Sequence, residues 1–104
     1  MTQAMLNAKL YQKMFAEQEL FKAELLLLPS AEVLNLAYEY VCREDILMAL
    51  EYNDLSARQA LALLKSATPL ADIFQKWDGW EESHHMANIW NAVEARANEV
   101  VRAN

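Results

Sequence analysis

The chain has very few residues that bend or lock a backbone. Its 104 residues include one glycine and two prolines. A sandwich or barrel of short strands needs a turn residue about every ten positions, and this sequence cannot supply them. Alanine, leucine, glutamate and glutamine, all good helix formers, dominate instead. An all-α fold is expected: a compact single domain over residues 1–104, built of five to six helices with short connections.

Other absences narrow the chemistry. Cys42 is the single cysteine, which excludes an intramolecular disulfide and a thiol-based zinc site. With no local feature to lower its pKa, Cys42 reads as a small buried apolar residue rather than a nucleophile. The lone glycine, Gly79, excludes glycine-rich phosphate loops. No apolar run, Leu25 to Leu28 included, approaches the ~20 residues of a membrane span. The N-terminus lacks the basic start, apolar stretch and small-residue cleavage site of a signal peptide. A soluble, cytoplasmic protein with no membrane partner is expected.

Positive charge is also scarce. Nine Lys and Arg face fifteen Asp and Glu, for a net charge of −6 and a pI near 4.8. Direct binding to nucleic acid, which calls for clustered cations, is therefore disfavoured. The acidity is concentrated. Residues 29–55 carry Glu32, Glu39, Glu44, Asp45, Glu51 and Asp54 against Arg43 alone, a net of −5. An acidic face keeps a small protein soluble, and it also suits a basic partner surface.

Apolar periodicity organises the rest. Leu6, Leu10, Met14, Phe21, Leu25 and Leu28 mark a helix over residues 3–27, capped by Thr2 and ended by Pro29. Ser30 is placed to cap a second helix, with Glu32 near its positive end. Over residues 31–52 the apolar face does not hold still. Val33, Ala37, Tyr40, Val41 and Met48 share one sector, while Ile46, Leu47 and Leu50 point elsewhere, which suggests a kink or break near Arg43-Glu44-Asp45.

Tyr52-Asn53-Asp54-Leu55 reads as a turn, with Asn53 suited to left-handed geometry at a helix end. Ser56 and Gln59 form a capping box for a helix over residues 57–66, with Leu55 as its hydrophobic staple. Thr68-Pro69 opens another short helix ending near Trp77. Asp78-Gly79 breaks the pattern, and a last helix over residues 80–101 carries Met86, Ile89, Val93, Ala97 and Val100.

Few residues suggest chemistry. Glu81, His84, His85 and Asn88 are the most metal-like group. Adjacent histidines on a helix diverge by about 100°, however, and a zinc or iron site takes three or four converging ligands. These read as exposed polar residues, and no metal or cofactor is expected. Glu44 and Asp45 have no nucleophile or cofactor cradle nearby, and Glu39 four residues before Arg43 reads as a structural ion pair. No catalytic residue is expected. Trp77, Trp80, Trp90, Tyr38, Tyr40 and Tyr52 serve either as core or as interface anchors, and the turn beside Trp77 and Trp80 favours access to those two.

Six segments carry a family resemblance: Ala37-Tyr38-Glu39-Tyr40, Arg43-Glu44-Asp45-Ile46-Leu47-Met48, Leu50-Glu51-Tyr52-Asn53-Asp54-Leu55, Leu63-Leu64-Lys65-Ser66, Pro69-Leu70-Ala71-Asp72 and Glu94-Ala95-Arg96-Ala97-Asn98. Over roughly residues 10–100 the chain resembles a family of short proteins of unknown function from gut-dwelling Gram-positive bacteria, often carried on mobile elements. The resemblance implies an accessory gene of such an element, a setting where small acidic proteins block host defence nucleases. It assigns no residue a catalytic role.

The reading that follows is a non-enzymatic protein-binding module whose contact residues are Glu44, Asp45, Glu51, Tyr52, Asp54, Trp77 and Trp80. Its partner is another protein, with a basic nuclease or effector surface the sharpest case; self-association stays open. Two alternatives stand beside it: an inhibitor of a defence nuclease or CRISPR effector acting by acidic mimicry or occlusion, and a small metal-dependent enzyme centred on His84 and His85.

Overall fold

The computed structural model describes residues 1–103, and of residues 79–85 it describes the backbone alone. The described residues form helices α1 (Gln3–Leu25), α2 (Ser30–Tyr52), α3 (Ala57–Leu64) and α4 (Pro69–Ala103), with no strand among them. The all-α expectation holds.

Each boundary has a local cause. The Thr2 hydroxyl accepts the Met5 N–H at 3.2 Å and caps α1. The helix ends at Leu25, two residues before the expected end. Leu27 and Leu28 then donate to the Glu24 and Leu25 carbonyls, both at 3.1 Å, in a tightened final turn. Ser30 is not the cap of α2 but its first residue; Pro29 holds the cap position with φ −59° and ψ 150°. Its carbonyl accepts from Glu32 and Val33 at 2.9 and 3.1 Å. Proline's fixed φ already supplies the entry geometry, so no side-chain cap is required.

The expected break in α2 is absent, since the helix is continuous from Ser30 to Tyr52. Its inward stripe runs through Val33, Leu36, Ala37, Tyr40, Arg43, Ile46, Leu47 and Leu50, all buried or half-buried, whereas Val41 and Met48 are exposed. Arg43 occupies a core-facing position. Counting the exposed Val41 and Met48 in the inward sector makes one stripe look like two. At the C-terminus Asn53 is extended, with φ −138° and ψ 149°, and not left-handed. Its Nδ2 donates to the Ala49 carbonyl at 2.8 Å.

The capping box of α3 is complete: Gln59 N–H donates to Ser56 Oγ at 3.1 Å, and Ser56 N–H donates to Gln59 Oε1 at 3.0 Å. Asp78-Gly79, expected as a boundary, instead carries helical backbone inside α4. A glycine inside a helix costs about 1 kcal/mol relative to alanine.

Residues Met1–Phe74 form one unit, with a core of Leu6, Leu10, Met14, Leu47, Ala60 and Leu70. In that unit α1 packs against both α2 and α3. Gln75–Asn104 form a second unit, a helical segment whose described side chains are all exposed.

Candidate interaction surface

The buried charges come first, because they decide which carboxylates remain for a partner. Arg43 is 7% exposed, and its guanidinium hydrogen-bonds to the Glu39 carboxylate, lies 3.9 Å from that of Glu17, and sits 4.1 Å from the centre of the Phe21 ring. The Glu39–Arg43 pair is the one that the spacing anticipates. Glu17 has a second role. Its two oxygens accept the Leu70 and Ala71 N–H groups, each at 2.9 Å, so a side chain of α1 caps the first turn of α4. A carboxylate is favoured there by both the free N–H groups and the helix dipole.

Gln18, 1% exposed, donates through Nε2 to the Tyr40 carbonyl and to Glu44 Oε1, both at 3.1 Å. Desolvation, followed by the Glu44 carboxylate, pushes the Tyr40 hydroxyl above its ordinary range. Glu44 thus helps hold α1 to α2 despite its exposure. Sequence reasoning missed this hub, because nothing in the linear spacing shows that Glu17 and Gln18 meet α2 and α4.

The other acidic residues are placed differently. Asp45, Glu51, Tyr52 and Asp54 are exposed, Tyr52 at 78%. Glu51 and Asp54 line a groove of about 350 Å³ together with Tyr11, Gln12 and Leu50. Tyr11 and Gln12 continue into a second hollow of about 390 Å³ that includes Phe15. The Tyr11 and Phe15 rings stack with centroids 6.2 Å apart. The structure therefore brings Glu51 and Asp54 together, while Glu44 is tied to the α1–α2 seam. Tyr11 and Phe15 went unnoticed in the sequence, although their i, i+4 spacing beside the α1 stripe was the available signal.

Trp77 is exposed on α4, and the side chains of Trp80, His84 and His85 lie outside the described residues. Tyr38 meets the Phe74 ring edge-on at 6.2 Å, and Cys42 is buried and free. Among the described residues no group of three His, Cys, Asp or Glu could hold a metal ion, and no helix is long and apolar enough to cross a membrane. A larger apolar pocket of about 560 Å³ opens at the α1–α2 corner, lined by Leu25, Leu28, Val33 and Tyr40, with Lys22 at its edge. Leu26 and Leu34 of its lining, and Leu27 next in sequence, are strongly exposed.

Residues 6–101 match a family described as a protein of unknown function, DUF3848. No curated protein and no solved structure matches the chain.

Proposed function

The chain belongs to the DUF3848 family, and from that premise we propose that it is a small acidic protein-binding module without catalytic activity. It engages a basic protein surface through the C-terminal half of α2 and the groove beside it. The supporting observation is the way the charges divide. Glu17, Glu39 and Arg43 are buried or half-buried and join helices or turns of one helix. Asp45, Glu51 and Asp54 are exposed and carry no ion pair among the described residues. Such a field acts over about a Debye length, ~8 Å at physiological salt, and mainly raises association rate. Tyr52 then supplies an apolar anchor that slows dissociation.

The resemblance to short proteins of gut Gram-positive bacteria supports an accessory role on a mobile element. A second reading, inhibition of a defence nuclease or CRISPR effector, draws support from the exposed carboxylates Asp45, Glu51 and Asp54. Carboxylates along a helix can stand in for phosphates in a cationic channel.

The test is affinity purification from host lysate with the parent and with an Asp45→Lys, Glu51→Lys, Asp54→Lys variant, read by quantitative mass spectrometry. A basic protein enriched by the parent and lost from the variant is expected. Equal recoveries from both would remove the acidic surface from the account.

A further inference from the structure

Two adjoining hollows that share Tyr11 and Gln12 form a groove along α1, walled at one end by Leu50, Glu51 and Asp54. Along it lie a stacked aromatic pair, Tyr11 and Phe15, and two exposed carboxylates, Glu51 and Asp54. No cation lines either hollow. Lys13 is directed elsewhere, its amine donating to the Leu64 and Ser66 carbonyls at 2.9 and 2.6 Å. Of the two amides in the groove wall, Asn7 is already engaged with Gln3 and Leu55, while Gln12 is exposed.

These groups select among occupants. An anionic segment would be repelled by Glu51 and Asp54. A neutral apolar segment would cover the two carboxylates without giving them a partner, which is costly. A guanidinium meets both requirements, since its flat face stacks on aromatic rings and its N–H groups form charge-assisted bonds to carboxylates. A lysine ammonium satisfies the carboxylates but stacks less well. The interior of the same chain already uses this chemistry, with Arg43 over Phe21 and bracketed by Glu17 and Glu39.

We propose that the groove is a recognition site for an arginine-bearing segment of a basic partner protein, the guanidinium resting on Tyr11, the ring common to both hollows and backed by Phe15, and bonding to Glu51 and Asp54. This rests on the protein-binding reading above and narrows it to one site and one side-chain chemistry.

The probe is a short capped peptide containing arginine, compared with versions carrying lysine or citrulline, titrated into the full chain at low salt and followed by NMR. Saturable binding that shifts the Tyr11 and Phe15 ring signals is expected, in the order arginine, lysine, citrulline. Glu51→Gln with Asp54→Asn, and separately Phe15→Ala, should weaken binding about tenfold, the scale of one charge-assisted hydrogen bond. Equal affinity for the citrulline peptide, unchanged affinity in both variants, or no saturable shift would overturn the proposal. If a variant loses helicity, the arginine-against-citrulline comparison on the parent still decides. If the peptide fails while the partner captured by the parent is lost on charge reversal, the groove assignment falls and the protein-binding reading stands.

Discussion

Glu17 of α1 lies 3.9 Å from the Arg43 guanidinium of α2 while its two oxygens accept the first N–H groups of α4. One carboxylate therefore joins three helices. Replacing Glu17 by alanine strands two backbone donors and removes one of the two acidic neighbours of a buried cation. A loss of about 2–4 kcal/mol in denaturant unfolding is expected, with Glu17→Gln costing less because an amide oxygen still accepts. A midpoint within error of the parent for Glu17→Ala would show that the hub does not hold the helices together.

Arg43→Ala should cost about 3–5 kcal/mol, as expected when one partner of a buried ion pair is removed. In Arg43→Met much of that cost should return, because methionine fills the core-facing position and leaves Glu39 free to hydrate. Equal losses for the two variants would mean that the charge, and not the packed stem, is what α2 requires at this position.

Core and corner leucines should separate cleanly. Leu10 is fully buried, and Leu10→Ala should cost about 2–5 kcal/mol. Leu27 is 85% exposed, and Leu27→Ala should stay within about 0.5 kcal/mol of the parent. Thermal or urea unfolding measures both, and a large loss for Leu27→Ala would place that leucine in an interface that forms in solution.

The Tyr40 hydroxyl titrates above its ordinary value of 10.0, chiefly through desolvation and then through Glu44. Folding thus favours the protonated phenol. Its contribution is intact below pH 10 and is lost as the pH rises through the folded value. Tyr40→Phe removes this loss, so the stability of the variant relative to the parent should increase above pH 10. Parallel pH profiles for the two proteins would show that the shift is absent.

The local signals in this chain were legible. Thr2, Ser56 with Gln59, and Pro69 each act on backbone groups within four residues, and each stands at the boundary expected of it; Pro29, expected to end α1, instead caps α2. The misreadings came where tertiary contacts override local rules. Arg43 is polar by type and inward by position because Glu17, Glu39 and Phe21 receive it. Ser30 had cap chemistry, but the preceding proline had already fixed the geometry. Of the acidic segment, the sequence could show the charge but not its division. Only the fold separates Glu44, held to Gln18, from Glu51 and Asp54, which share a groove with residues of α1.

The most direct test of the central claim is the association rate between the chain and its captured partner, measured across a salt series. The parent should associate fast at low salt and slow steeply as salt rises, while dissociation changes little. The Asp45→Lys, Glu51→Lys, Asp54→Lys variant, which leaves the structural Glu44 in place, should associate at least about tenfold more slowly at low salt, with its salt dependence flattened or reversed. Identical rates for parent and variant at every salt concentration would contradict the account, and the acidity of α2 would then serve solubility alone.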